Sequence, residues 1–325
     1  MAHWLATPAC SSQAFDTPWQ VFNMKPQRHP LDSPRANDSS RKLQAFCLGL
    51  RSIARLGLAP LGARATQFHQ HLMSPQRLDR GLILILPGIE GCSTVNDSIA
   101  AGLAAAGCDL AVQIEDWRRF RPWNPLHLML HRHNRRQAER IAESILAYQH
   151  QYPGRPIHIV GHSAGAGIAL FILESLPSAS PVDSIVLLAA AISRNYPLTA
   201  AAARVRDKIW NFYSPLDLPT TGLGTAIFGT MDRRHAVSAG ALGFNSNQST
   251  CPKLVQVCFK PSMIRKWNLG GHFGWTNALF VRDQLAPLLT IQQKPVWARS
   301  ACSSGRDADE RHTNRTHPRS YAIPQ

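Results

Sequence analysis

A serine placed between two glycines is the first feature of this 325-residue sequence that points to chemistry. Residues 156–170 read PIHIVGHSAGAGIAL, so strand-favouring residues lead into Gly161-His162-Ser163-Ala164-Gly165 and an Ala- and Gly-rich segment follows. A sharp turn from strand to helix exposes a serine hydroxyl, and small neighbours let the strand and helix approach each other. The pattern predicts that Ser163 is a nucleophile in a turn formed by Gly161 and Gly165. The alternative is a serine in an ordinary glycine-rich turn.

A serine hydroxyl attacks only when a histidine removes its proton and a carboxylate orients that histidine. Together with the segment GLILILPGIEG at residues 81–91 and the order Ser, acid, His, the GHSAG motif resembles the α/β-hydrolase family. The resemblance covers roughly residues 80–290. It implies a doubly wound, mostly parallel sheet with helices on both faces, and a Ser-Asp-His triad that works through an acyl-enzyme.

The resemblance assigns the other two triad positions. The family's acid follows the second strand after the nucleophile strand, which here places it at Asp217, after a predicted strand at 208–213. Asp207, the other acidic residue between positions 184 and 220, lies at the opposite end of that strand. The family's histidine follows the last strand, predicted at 254–259, and matches His272, which has glycines nearby on both sides. His162 is expected to support the site and not to act as the base, because adjacent side chains in a tight turn diverge.

The developing oxyanion requires backbone N–H donors. The family takes one from the residue after the nucleophile, here Ala164, and one from the loop after an earlier strand, for which Ile89 is the candidate. This sequence has Pro87 where the family often has a histidine, which affects the shape of the loop but not the donor. Glu90 would oppose the oxyanion if it pointed inward, so we expect it to face solvent or to pair with an arginine.

Alternating apolar segments predict the elements that carry these residues. A parallel sheet covered on both faces is expected from strands at 82–86, 109–114, 157–160, 185–189, 208–213 and 254–259, and helices at 97–106, 134–151, 164–174 and 276–285. The connection after the strand at 185–189 is too short for a large separate lid domain. Segments 218–252 and 115–133 follow strands and are the candidate walls of a substrate site. A Rossmann-type domain is disfavoured because its glycine fingerprint is absent.

The hydrolase domain is predicted at 80–291, with different segments on either side. Residues 1–40 are polar and aperiodic and are predicted to be disordered, and the basic segment 292–325 is predicted to be a loosely ordered tail. Residues 41–79 are interpreted as an N-terminal helix and its lead-in. The helix at 41–59 is expected to pack on the domain through Leu43, Phe46, Leu50, Ile53 and Ala54. A membrane-surface helix and a remnant of a signal sequence are the alternatives.

Charge and cysteine content limit the partners. The formal charge of +15 is concentrated in both ends and in residues 118–140, which hold seven arginines and one acidic residue. This patch predicts weak contact with an anionic membrane surface or a solvated loop, and no motif indicates specific nucleic-acid binding. His127, His131 and His133 lie within it, but no acidic or cysteine ligand joins them, so no metal is expected. Seven cysteines without CxxC spacing argue against a zinc site or disulfide framework and favour a reducing compartment.

The predicted function is therefore a serine hydrolase without a cofactor, acting on a carboxylic ester from a lipid or a small molecule. Peptidase, thioesterase and lyase chemistry on the same fold are alternatives that the sequence separates poorly. A non-catalytic binding protein on the same scaffold is disfavoured, because no triad member is missing. We expect a cytoplasmic or membrane-peripheral location, with export left open.

Overall fold

The computed structural model describes residues 38–57, 71–118, 125–245 and 251–289. The predictions of a disordered N-terminus and of a loose tail at 292–325 fall almost entirely outside these residues. Much of the predicted lead-in between the N-terminal helix and the hydrolase domain also lies outside the described residues. The domain boundaries therefore remain predictions.

Six parallel strands form one sheet in the order β2-β1-β3-β4-β5-β6. Their bounds are Leu82–Leu86 (β1), Ala111–Ile114 (β2), Ile157–His162 (β3), Ser184–Leu188 (β4), Ile209–Tyr213 (β5) and Leu254–Cys258 (β6). The order reverses between β1 and β3, and this is the switch point at which open α/β sheets place their sites. The predicted strands are thus confirmed, with shifts of one or two residues at their ends.

The apolar run of β1 shows why the sheet is covered on both faces. All five residues of LILIL are buried, and side chains alternate between faces along a strand. Leu82, Leu84 and Leu86 pack in one core with two long helices, whereas Ile83 and Ile85 pack in the other core. A continuous apolar strand therefore contributes to two cores at once.

The helices lie in the connections between strands. Their bounds are Asp38–Gly57 (α1), Pro75–Leu78 (α2), Thr94–Ala105 (α3), His131–Gln151 (α4), Ala164–Ser175 (α5), Thr199–Ala202 (α6), Leu223–Phe228 (α7), Ala239–Leu242 (α8), Ala278–Phe280 (α9) and Ala286–Leu289 (α10). The described chain also contains 3₁₀ segments at 71–73, Pro125–Leu128, Pro215–Asp217, Pro261–Lys266 and Gly274–Thr276, and π-helical turns at Leu218–Gly222 and Val281–Leu285. The helix predicted at 276–285 is in fact broken into 3₁₀, α and π segments.

Helix α1 packs on the domain mainly through its small residues. Gly49 and Ser52 are buried, and Ser52 Oγ accepts the N–H of Ala278 at 3.0 Å. Of the predicted apolar face, Phe46 packs edge-on to Trp267 with ring centroids 5.2 Å apart, whereas Leu43 is 63% exposed. The prediction of a packed helix is confirmed, and the predicted face is only partly right, because a close backbone approach needs small side chains and periodicity alone favours large ones.

The described segments that follow β4 and β5 contain only short helices, and no separate lid domain is present there. Within the described residues, none of the helices is both long and apolar enough to cross a bilayer.

Candidate active site

The turn between β3 and α5 holds Ser163 in a strained conformation. Its φ of 54° and ψ of −120° are unfavourable for a residue with a Cβ atom, at a cost of about 1–3 kcal/mol. Three backbone hydrogen bonds retain this geometry: Ser163 N–H donates to Leu188 O at 2.9 Å, and Ser163 O accepts from Ala166 N–H and Ala191 N–H at 3.1 and 3.0 Å. The turn is therefore tied to the ends of β4 and α5.

The glycines on either side of Ser163 are required by close contacts. A methyl group on Gly161 would lie 2.6 Å from Ala166 Cα, and one on Gly165 would lie 2.5 Å from Pro87 O and overlap Leu86 O. Both obstacles are backbone atoms, which cannot rotate away. Helix α5 therefore begins in direct contact with the loop after β1, as the motif requires.

Asp217 and His272 meet although they are 55 residues apart in the chain. His272 Nδ1 lies 3.0 Å from Asp217 Oδ2, and the Asp217 side chain is fully buried. Asp217 ends the 3₁₀ turn after β5, while His272 follows a long loop after β6. A buried carboxylate at Nδ1 holds the proton there and leaves Nε2 free to accept one.

Thr221 is a site residue that the sequence reasoning missed. Its N–H donates to Asp217 Oδ1 at 3.2 Å, and its hydroxyl donates to Asp217 Oδ2 and lies 3.0 Å from His272 Nδ1. The π-helical turn Leu218–Gly222 brings Thr221 back over the carboxylate. A threonine four residues after a candidate acid is the only available sequence signal, and such spacings are common.

The surroundings of His272 favour its protonated form. Burial alone would lower its pKa, but the charge and hydrogen bond of Asp217 and the charge of Glu90 outweigh burial, so the pKa lies above its ordinary value. A base with a raised pKa accepts a proton more readily once its deprotonated form is present.

Ser163 and His272 lie in the same region but are not hydrogen-bonded. The His272 ring packs against that of His162, with centroids 4.8 Å apart, and His162 precedes Ser163 directly. Ser163 is 6% exposed, and its hydroxyl has no hydrogen-bond partner among the described residues. Catalytic hydrogen bonds in unliganded sites are often long and tighten only with substrate.

The two candidate oxyanion donors have free N–H groups in the described part of the chain. Neither Ile89 N–H nor Ala164 N–H donates to a described acceptor. The loop of Ile89 lies against Ser163, since a methyl group on Gly88 would be 2.9 Å from Ser163 Cβ. Unpaired donors at this point can bind a developing negative charge.

Glu90 points inward, contrary to expectation. Its side chain is 10% exposed, Gly88 N–H donates to its Oε1 at 3.0 Å, and His162 Nδ1 lies 3.1 Å from the same oxygen. Burial alone would raise the pKa of Glu90, but His162 beside it lowers the pKa overall. The prediction of a solvent-facing or arginine-paired side chain was wrong, because the side-chain partner of Glu90 is His162, which comes from the turn of Ser163 itself.

His162 supports the site and is not placed to act as its base. Its ring is fully buried, and Nε2 lies 3.2 Å from the backbone carbonyl oxygen of His272. Both ring nitrogens are thus engaged by groups other than Ser163. Tertiary structure makes His162 a bridge between the Glu90 loop and the His272 loop.

Several arginines of the segment 118–140 form ion pairs with acidic residues from other parts of the chain. Arg118 pairs with Asp116 at 2.8 Å, and Arg140 with Glu115 at 2.6 Å. Arg135 also pairs with an acidic side chain, that of Glu174 on α5. Residues 119–124 lie outside the described chain.

The histidines of this segment pack on neighbouring groups. His127 is buried edge-on to Trp117, and His133 Nε2 lies 3.2 Å from Trp117 O. His131 packs near Phe171. No cluster of three or more His, Cys, Asp or Glu residues able to hold a metal occurs within the described ranges.

Comparison with known proteins gives distant structural matches. No family model and no curated protein matches the sequence. A dienelactone hydrolase-like promiscuous phosphotriesterase from metagenomic libraries matches with 13% identity and a TM-score of 0.37 over 55% of this chain and 70% of its own. Aspergillus fumigatus lipase B matches with 10% identity and a TM-score of 0.46, over 89% of this chain and 65% of the lipase. A Trichoderma reesei cutinase in complex with a phosphonate inhibitor matches with 12% identity and a TM-score of 0.34, over 75% and 87%.

These TM-scores are too low to carry an argument, so the fold is assigned from the molecule itself. The sheet is parallel and its order reverses beside β3, a strained serine lies between β3 and a helix, and small residues stand at both contacts, which together are features of the α/β-hydrolase fold. The fold class predicted from the sequence is therefore confirmed.

Proposed function

We propose that this protein is a serine hydrolase in which Ser163, Asp217 and His272 act as a triad through an acyl-enzyme. The observation that carries the proposal is the hydrogen bond between His272 and the buried Asp217 at 3.0 Å, close to a serine in a strained strand-to-helix turn. A structural histidine would not need a buried carboxylate, a strained serine and unpaired N–H donors in one place.

Two half-reactions follow from this assignment. Ser163 Oγ bonds to the acyl carbon while its proton passes to His272 Nε2, and the C–O bond of the ester then breaks as His272 returns the proton to the leaving alcohol. In the second half, water gives a proton to His272 and attacks the acyl carbon, and Ser163 leaves with that proton as the acid is released. Asp217 remains ionised and orients the ring throughout.

The N–H groups of Ile89 and Ala164 are the proposed oxyanion donors. Both lack acceptors among the described residues, and the Ile89 loop is pressed against Ser163 through Gly88. The loss of one such donor typically costs about 10²–10³ in rate. Backbone donors of this kind cannot be removed by changing a side chain, so Gly88 and Gly165, which hold the loop in place, are the accessible points of perturbation.

A carboxylic ester with an apolar acyl or alcohol group is the proposed substrate. Leu216 and Leu218 flank Asp217 and are 58% and 38% exposed, and Leu269, three residues before His272, is 56% exposed. Exposed leucines beside catalytic residues favour an apolar ligand. Thioester, peptide and lyase chemistry use the same groups and form the alternatives.

Contact with an anionic membrane surface is a further part of the proposal. Leu43 and Leu50 are exposed apolar side chains on α1, and the exposed Arg51 lies on the same helix. Arg132 is an exposed cation of the 118–140 patch. Apolar and basic groups together are typical of surface-bound helices. We therefore also propose that the protein acts in the cytoplasm or at a membrane surface.

Labelling with a fluorophosphonate tests the function. The reagent transfers its phosphonyl group to an activated serine and releases fluoride, so wild-type protein should be labelled and Ser163→Ala should not. Ser175→Ala on the same helix is the matched control, because its hydroxyl only donates to Phe171 O. Absence of labelling in folded wild-type protein would contradict an activated Ser163.

A substrate panel then separates the chemistries. Esters from acetyl to palmitoyl, with a matched thioester and anilide, should show the highest kcat/KM for an ester of an apolar acyl chain. Faster thioester or anilide cleavage would replace the ester proposal with one of its alternatives.

A further inference from the structure

A carboxylate beside the proposed oxyanion site requires an explanation. Glu90 follows Ile89, and a methyl group on Gly88 would lie 3.0 Å from Glu90 Cδ and 2.9 Å from Ser163 Cβ. Glu90 Cδ and Ser163 Cβ are therefore within about 6 Å of each other. A negative charge without a partner at that distance would repel the oxyanion that Ile89 and Ala164 are proposed to bind.

The contacts of His162 determine how many protons His162 and Glu90 hold between them. Nε2 faces the carbonyl oxygen of His272, which can only accept, so Nε2 carries a proton. Nδ1 faces Glu90 Oε1, and this contact also requires a proton, either on Nδ1 or on the carboxyl group. Both arrangements contain the same number of protons, and in both the net charge of Glu90 and His162 together is zero.

We propose that Glu90 and His162 form a neutral, proton-sharing pair that ties the oxyanion loop to the loop of His272 and cancels the charge of the carboxylate beside Ser163. The proposal rests on the proposed hydrolase function. Glu90 also accepts Gly88 N–H at 3.0 Å, so the same side chain shapes the loop that carries Ile89. His162 is a positioning residue: it touches the backbone of His272, not the substrate.

Removal of the histidine and then of the charge tests this pair. His162→Gln removes the hydrogen-bonded partner that balances the charge of Glu90 and leaves only the charges of Arg118 and His272 near the carboxylate, so kcat/KM for an ester should fall about 10²-fold or more. The double variant with Glu90→Gln removes that charge and should recover at least tenfold over His162→Gln alone. Such recovery is not expected of a pair that only packs, because two changes in one buried contact would then be no better than one.

His158→Gln is the matched control, since His158 is a buried histidine on the same strand and bonds to Ser184 at 2.7 Å, away from the turn. Adding Glu90→Gln to His158→Gln should not raise kcat/KM. A double variant as slow as or slower than His162→Gln would overturn the proposal, and so would a His162→Gln variant that is as fast as wild type.

A measurement on the wild type covers the case in which His162→Gln does not fold. In ¹⁵N-histidine NMR, Nε2 of His162 should carry a proton and Nδ1 should carry or share one with Glu90. An Nδ1 resonance typical of a nitrogen without any bound or shared proton would overturn the proposal. This proton count needs no turnover and is therefore independent of the fluorophosphonate experiment. That experiment decides whether Ser163 is activated.

Discussion

The exchange of Asp217 for asparagine tests the orientation of His272 with almost no change in shape. The carboxylate makes three contacts: Oδ1 accepts Thr221 N–H at 3.2 Å, and Oδ2 accepts the Thr221 hydroxyl and faces His272 Nδ1 at 3.0 Å. An amide can keep its oxygen toward Thr221 N–H and place its NH₂ group at the position of Oδ2, where the Thr221 hydroxyl can rotate to accept from it. That group would donate to Nδ1 and move the ring proton to Nε2, the atom proposed to accept the proton of Ser163.

The opposite orientation of the amide is unfavourable. Turning its oxygen toward His272 would set the NH₂ group against Thr221 N–H, which leaves two buried donors facing each other at about 1–3 kcal/mol. The incorrect tautomer should therefore predominate, and we expect kcat to fall by about 10⁴-fold, or roughly 5.5 kcal/mol in the barrier.

Steady-state kinetics on the best ester from the panel provide the measurement. Asp207→Asn is the control, because Asp207 is exposed and lies before β5, at the opposite end from the site. It should retain the wild-type kcat. A folded Asp217→Asn variant within tenfold of wild type would show that another group orients His272, and the assigned triad would then be incorrect.

Two further predictions concern the same site. Because the pKa of His272 is raised above 6.5 and only its neutral form accepts a proton, kcat/KM should rise with pH with a midpoint above 6.5; a midpoint below 6.5 would contradict the role of Asp217. Gly165→Ala should lower the free energy of unfolding by about 1–3 kcal/mol or more and abolish labelling, because its methyl group would meet backbone atoms. Gly224→Ala meets no atom within 4 Å and should stabilise α7 by about 0.5–1 kcal/mol, so equal effects of the two changes in urea denaturation would refute the packing argument.

The proposed membrane contact is also testable. Sedimentation with vesicles of phosphatidylcholine and phosphatidylserine should carry down the wild-type protein at low salt. Leu43→Ser, which removes an exposed apolar side chain from α1, should reduce the bound fraction several-fold without loss of ester hydrolysis in solution. Equal vesicle binding by the wild-type protein and the variant would show that α1 does not contribute to membrane contact.

Local sequence predicted those features that depend on local physics. A continuous apolar run such as LILIL is stable only when both faces of its strand are covered, so the strands and the layered sheet could be predicted. A serine between glycines, preceded by a strand pattern and followed by a helix pattern, indicated a tight strand-to-helix turn, and this is where Ser163 lies. Asp217 and His272 could be predicted only by resemblance, because the two residues are 55 positions apart.

Tertiary structure alone decided the contacts whose partners are distant in the chain. Periodicity selected the large residues of α1 as its packed face, and Phe46 does pack on Trp267, but the close approach to the domain is made by Gly49 and Ser52. Glu90 looked like a surface residue because its partner, His162, is 72 positions away. Whether a buried charge is tolerated depends on which group faces it, and that group is determined by the way the loops meet above the sheet, which one sequence does not reveal.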